Sequence, residues 1–167
     1  MKAEIAPLTE EHFEELRRVL DAIAREGRYL AFLRAPPPEE AFAYYRGILA
    51  RGSPHFVALS SRRVVGWCDV LPTHGEARAH VGTLGIGLVR EARGLGIGTA
   101  LMKAAVERSW AKGLSRIELT VRADNLAAKA LYEKMGFRVE GTKRRAFCVD
   151  GEFFDTLFMA LLHDHEA

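Results

Sequence analysis

The sequence predicts a mixed α/β fold, an α+β arrangement in which helices flank one mixed sheet. Three observations predict it. Apolar residues switch between helical and alternating spacing along the chain in the order β-α-α-β-β-β-α-β-α-β-β. A glycine-rich turn, Arg93-Gly94-Leu95-Gly96-Ile97-Gly98-Thr99, joins a strand to a helix. Near the end, Asp150-Gly151 separates two strand-like runs, and this dipeptide suits a tight hairpin turn.

Lys2 to Ala6 is short and extended. Thr9 follows as an N-cap, with Leu8 and Phe13 placed as a hydrophobic staple, for a helix that runs to about Arg25 and stops at Gly27. Pro36, Pro37 and Pro38 precede a second helix carrying Phe42, Tyr45, Ile48 and Leu49 at helical spacing. From Pro54 the period changes. His55 to Leu59, Val64 to Leu71 and Arg78 to Val89 read as an antiparallel meander with turns at Ser60-Ser61-Arg62 and Pro72-Thr73-His74-Gly75. After the glycine turn, a helix with Ile97, Leu101, Ala104 and Ala105 on one face runs to about Lys112, where Gly113 stops it. Ser115 to Val121 alternates as a strand up to Asp124-Asn125, and a further helix reaches Met135 and its cap Gly136. Phe137 to Glu140 and Phe153 to Leu162 are the closing strands.

The length suits one domain, residues 1–167, that buries its core without disulfide or metal support. Apolar residues at 49% and charged residues at 28% exclude a disordered or collagen-like chain. Apolar runs such as Leu84 to Val89 fall far short of the roughly 20 residues that span a bilayer. Met1-Lys2-Ala3-Glu4-Ile5 lacks the basic start and apolar stretch of a signal peptide, so a cytoplasmic location without a membrane partner is expected. A net charge of only +2, with basic residues interleaved among acidic ones, lacks the basic face of a nucleic-acid binder. Cys68 and Cys148, both in strand-like segments, are expected as reduced core thiols. Glutamine is absent and arginine outnumbers lysine eighteen to six, as in a thermophile or a GC-rich genome.

The glycine-rich turn carries chemistry. Missing side chains let the backbone approach a ligand, and the free N–H groups of the first helical turn converge where the helix dipole is positive. That suits a pyrophosphate, and Arg93 adds a cation at the mouth. The dinucleotide fingerprint fails because the third glycine comes too early, and the P-loop fails because no Gly-Lys-Ser/Thr follows. Glycines alone would equally serve a tight strand-to-helix turn.

The surrounding residues resemble the GNAT superfamily of acetyl-coenzyme A-dependent N-acetyltransferases. Its Gln/Arg-x-x-Gly-x-Gly/Ala signature is matched by Arg93, Gly96 and Gly98, followed by the strand Ile117 to Val121, by Asn125, and by Leu131-Tyr132-Glu133-Lys134-Met135-Gly136-Phe137. The match is specific from His80 to Phe137 and weak over the first fifty residues, the part that sets acceptor choice in the family. The resemblance implies a GNAT fold, with a central, mostly antiparallel sheet splayed at the strand before the pyrophosphate loop. It implies acetyl-coenzyme A as the cofactor, held by Ile86, Leu88, Arg93, Gly94, Gly96, Gly98, Thr99, Asn125 and Tyr132. Asn125 and Tyr132, seven residues apart, fall nearly on one helical face with about 10.5 Å of rise between them, so one extended arm can touch both. Leu131 and Met135 are expected toward the core, with Tyr132 rotated toward a cleft.

Acetyl transfer to an amine needs a neutral amine, a donor to the developing oxyanion and a proton for the departing thiolate. The Ile86 N–H is the expected donor, and Tyr132 the expected acid. The family's strand glutamate is missing, since Gly82 and Thr83 stand there; Glu118, His80, His74 or water are the substitutes for the base. His163 and His165 form a His-x-His without a third ligand nearby, so no metal is expected. Arg144 and Arg145 read as a solvated basic turn. Arg28, Tyr29 and Phe32, with the Phe147 to Phe154 segment, are expected to line the acceptor side. The expected acceptor is a small amine: an amino acid, a polyamine or an amino-acid-like antimetabolite. A protein N-terminus of the ribosomal-protein type is the enzyme alternative, and a non-catalytic acyl-coenzyme A-binding module is the alternative of another class. An exposed edge strand in the closing hairpin favours a homodimer.

Overall fold

The computed structural model describes residues 2–163, so His165 lies outside the described residues. Among the described residues seven strands form one sheet in the order β1-β2-β3-β4-β5-β7-β6. They are β1 Glu4–Pro7, β2 His55–Ser60, β3 Arg63–Pro72, β4 Val81–Leu88, β5 Arg116–Arg122, β6 Arg138–Val149 and β7 Glu152–Leu162. The helices are α1 Phe13–Ala24, α2 Pro38–Arg51, α3 Ile97–Ala111 and α4 Leu126–Lys134. Among the described residues β4 and β5 are the one parallel pair; every other neighbouring pair is antiparallel. Among the described residues no helix is long and apolar enough to cross a membrane.

The alternation of the strands divides the core in two. Val57 and Trp67 pack with Phe13, Leu16, Ile23, Tyr45 and Ile48 from α1 and α2. Their neighbours Ala58 and Cys68 pack with Leu101, Met102, Ala105, Leu119, Tyr132 and Met159 in a second cluster built on α3 and α4. Each helix thus buries one apolar stripe on one face of the sheet. Thr9 caps as expected, forming a capping box with His12 at the head of a single 3-10 turn that leads into α1. Pro38 opens α2 at its first position, where its missing N–H has no intrahelical partner to lose.

Three expectations need correction. Arg78 to His80 are not part of β4: Glu76–Arg78 coil into a 3-10 turn, and the strand starts at Val81. β6 does not stop at Glu140 but runs to Val149, interrupted by an irregularity between Lys143 and Phe147 in which Arg145 takes φ 51°. Arg144 and Arg145 therefore stand on a bulged edge strand, where the Arg145 N–H donates to Asp155 Oδ1 at 2.8 Å. Cys68 is a buried free thiol as expected, whereas Cys148 is exposed, because β6 has a strand neighbour on one side only. On α4 Leu131 and Met135 pack against the core as expected, and Tyr132 is itself buried, at 8% exposure.

Candidate active site

The parallel pairing of β4 with β5 is brief: Val81 faces Arg116, Gly82 faces Ile117 and Thr83 faces Glu118, and there it ends. Each strand nevertheless stays bonded to its other neighbour, β4 to β3 as far as Leu88 and β5 to β7 as far as Arg122. The two halves of the sheet therefore part beyond Thr83. A cleft of about 430 Å³ fills the gap, lined by Ile86, Gly87 and Leu88 on one side and by Thr120 and Val121 on the other. A strand edge without a strand neighbour offers backbone hydrogen bonds to any extended ligand laid along it.

The glycine turn closes one end of this cleft with Arg93, Gly94, Gly96, Gly98 and Thr99. Gly94 has φ 72° and Gly96 has φ 79°, and a Cβ built on either would meet no atom within 4 Å. The turn thus requires glycine for its left-handed backbone, not for lack of room. Gly98 is different: a Cβ there would lie 3.2 Å from Leu131 Cδ2, so its constraint is the packing of α3 on α4. Gly96 is the N-cap of α3 and supplies no capping side chain, and the first turn carries no acidic residue. Its orphan N–H groups thus face an open, left-handed turn, an arrangement that fits a pyrophosphate.

α4 forms the remaining wall through Asn125, Ala128, Leu131, Tyr132 and Lys134. Asn125 caps the helix, its Oδ1 accepting from the Ala128 N–H at 3.2 Å, which leaves its NH₂ group unused by the cap. Tyr132 packs its ring 6.0 Å from Phe137, and burial pushes its hydroxyl above the ordinary phenol range. A phenol so placed stays protonated throughout the physiological range and can act as a donor.

Arg93 departs from expectation. Its Nε donates to Leu88 O at 2.9 Å, its Nη1 and Nη2 form a bidentate pair with Glu26 at 3.0 and 2.5 Å, and the guanidinium lies 4.5 Å over the Tyr29 ring. The hydrogen bonds from Arg93 hold the Glu26 carboxyl below its usual range. The charge expected at the mouth of the turn is therefore matched by a carboxylate, and Arg93 ties the turn to the loop after α1. Arg122 makes a similar tie. It is bidentate to Asp124 at 2.9 and 2.6 Å, donates to Gly27 O at 3.1 Å and lies 3.5 Å from the Phe154 ring centre.

Of the residues expected on the acceptor side, Tyr29 lines the cleft and Arg28 is exposed next to it, whereas Phe32 is 55% exposed and outside the lining. Neither expected base is at the cleft. Glu118 is buried but held by Arg78 at 2.5 Å and by Arg116 at 3.1 Å, which occupies the lone pairs a base would need. His80 and His74 are exposed outside β4, where the chain coils between Pro72 and Val81. Ile23, Thr120 and Lys134 line the cleft without having been singled out. Thr120 was within reach of the alternation of β5, since Glu118, Thr120 and Arg122 share the face opposite the core residues Ile117, Leu119 and Val121. No cluster of three metal-ligating side chains occurs among the described residues.

The model of the acetyltransferase (GNAT) family matches residues 12–137. The L-amino acid N-acetyltransferase AaaT of Escherichia coli K12 is 32% identical over 134 residues, covering 79% of this chain and 82% of that one. The fold is shared with a phosphinothricin acetyltransferase of Sinorhizobium meliloti solved with acetyl-coenzyme A, at TM-score 0.90 and 24% identity over 97% of this chain and 89% of that one. It is shared equally with a ribosomal-protein-alanine N-acetyltransferase of Brucella melitensis, at TM-score 0.90 and 24% identity over 96% and 99% of the two chains. A sheet parted at its parallel pair, an uncapped glycine turn and a match over most of the chain agree: the protein belongs to the GNAT family and is an acetyl-coenzyme A-dependent N-acetyltransferase.

Proposed function

We propose that the acceptor is a small amine that carries a carboxylate, an amino acid or a close analogue. The observation that carries this reading is the exposed Arg28, which adjoins the cleft-lining Tyr29 on the loop after α1. A guanidinium recognises a carboxylate through paired hydrogen bonds, and one such contact fixes an amino acid with its amine directed inward. The relation to an L-amino acid N-acetyltransferase over most of both chains supports the same choice.

Acetyl-coenzyme A supplies the activated acetyl thioester when bound. In this reading the N–H groups of the turn from Gly94 to Thr99 hold the pyrophosphate, with Arg93 as a positioning residue. The β5-facing edge of β4 at Ile86 and Leu88 pairs with the pantetheine arm, and Asn125 contacts that arm from α4. The Ile86 N–H donates to the carbonyl oxygen as negative charge develops on it. Tyr132 supplies a proton to the departing sulfur. The whole chain, residues 1–167, acts as one catalytic domain.

A thiol-release screen with acetyl-coenzyme A tests the acceptor against amino acids, polyamines and short peptides. Turnover of amino acids above the other two classes is the expected result. Preference for a peptide amino terminus would replace the acceptor with a protein, and preference for a polyamine would remove the carboxylate requirement. Coenzyme binding without release against any acceptor would make the protein an acyl-coenzyme A-binding module.

A further inference from the structure

The acceptor amine must lose a proton before it can attack, because an α-amino group with a pKa near 8 is mostly ammonium at neutral pH. Glu118 is engaged with two arginines and His80 is remote from the cleft. A different carboxylate lies on the acceptor face of the sheet. We propose that Asp69, on β3, is the general base that takes the proton from the acceptor ammonium.

The strand register places it. Asp69 is paired with Gly85 of β4, the residue before Ile86, and Gly87, two residues on, lines the cleft. Two residues of strand span about 7 Å, so the proton passes from an amine at the cleft edge to the carboxylate through a bridging water. A Cβ at Gly85 would lie 3.1 Å from Asp69 Oδ1, so the carboxylate lies directly over Gly85, where a side chain on β4 would crowd it. The side chain retains 13% exposure.

The groups that face Asp69 leave its charge undecided. From β4 comes the Gly85 N–H and from its own strand the Trp67 indole, both favouring the carboxylate, while burial opposes it more strongly and pushes the group up to about 7. From β2 comes His55, whose Nδ1 is 3.8 Å from Oδ2, beyond hydrogen-bond distance. Both nitrogens of this buried ring lack a hydrogen-bond partner, and burial pushes it down to about 4, so it stays neutral. Tyr44 and Tyr45 face the carboxylate from α2, and their cationic neighbours Arg51 and Arg17 act on the tyrosines. Asp69 therefore sits near charge balance at working pH, the condition a general base needs.

The proton count closes. Asp69 takes one proton from the ammonium, and the freed lone pair forms the C–N bond to the acetyl carbon. The C–S bond breaks, and its electron pair leaves on sulfur. The second nitrogen proton ends on that sulfur through Tyr132, which is protonated again at the end of the cycle. Asp69 returns its proton to water, so one proton is released per turnover. The inference rests on the acetyl transfer established by the family and not on which amine is accepted.

Asp69→Asn tests it. At pH 7, kcat/KM is expected to fall about 100-fold with coenzyme A affinity unchanged, and the rise of wild-type kcat/KM through pH 7 should disappear from the variant. A readout free of turnover is carboxyl carbon NMR of the ligand-free protein: one carboxyl is expected to titrate near pH 7 and to vanish in Asp69→Asn. Gly85→Ala is the second variant, crowding the carboxyl out of its place over β4 without removing it. It is expected to lose turnover comparably while the same resonance persists. Asp69→Asn with kcat/KM within twofold of wild type, Gly85→Ala with normal turnover, or no carboxyl titrating above pH 6 would each overturn the proposal.

Discussion

The two sides of the cleft are built from different materials. The side toward α3 and α4 is largely backbone: two left-handed glycines, an uncapped helix start and a strand edge left without a partner after Thr83. The side toward the loop after α1 is largely side chain: Ile23 and Tyr29 line it, Arg93 is clasped by Glu26 under the Tyr29 ring, and Arg122, clasped by Asp124 against Phe154, donates to Gly27 of the same loop. A backbone site suits a ligand that never changes, since few side chains can redefine it. A side-chain site changes with every substitution, the property that a variable acceptor calls for.

Breaking the backbone side should have the largest effect. Gly96→Val forces a β-branched residue to φ 79° at the helix start, and coenzyme A binding measured by calorimetry should weaken at least about 100-fold. Normal affinity would remove the turn from the site. Tyr132→Phe removes one oxygen and leaves the packing against Phe137, so turnover should fall about 10- to 1000-fold with little change in cofactor affinity. Unchanged turnover would end the role of Tyr132 as a proton donor.

On the side-chain face a pH effect sharpens the contrast. The Asp69 carboxyl is at about 7 in the folded protein against an unfolded value near 3.9, so the folded state keeps a proton that the unfolded state has lost between those pH values. The stability this supplies is complete below pH 4 and lost as pH rises through 7. Asp69→Asn should therefore gain stability relative to wild type from pH 4 to pH 8, by on the order of 4 kcal/mol at the upper end. A constant difference across that range would mean that Asp69 does not titrate there. Arg28→Ala should raise the KM for an amino acid about 10-fold with kcat nearly unchanged, whereas Phe32→Ala, outside the cleft lining, should change either constant by less than about twofold. A larger loss for Phe32→Ala would reverse their assignments.

The same division decided what could be read from the sequence. Glycine spacing, the N-cap Asn125 and the tyrosine seven residues on are local patterns, and the structure places all of them around one cleft. Pairings across long separations left no local trace. Arg93 and Glu26 are 67 residues apart, and Arg122 reaches Gly27 across 95. Arg93 thus read as a free cation although a carboxylate engages it. Glu118 looked available as a base because Arg78, 40 residues before it, arrives by way of the coiled segment that had been read as strand. Asp69 is a single acid in an apolar strand. Only the register with Gly85 reveals what lies above it. The extension of β6 past Glu140 escaped because Lys143 to Arg145 are charged, and an edge strand tolerates charge that a central strand would not.

The Arg93–Glu26 clasp has one more consequence. It is a single joint shared by the glycine turn and by the loop carrying Arg28 and Tyr29. A ligand that tightens or strains this joint from one side alters affinity on the other, and equilibrium linkage makes the factor the same in both directions. For such a ligand, neither affinity is defined until the occupancy of the other side is stated.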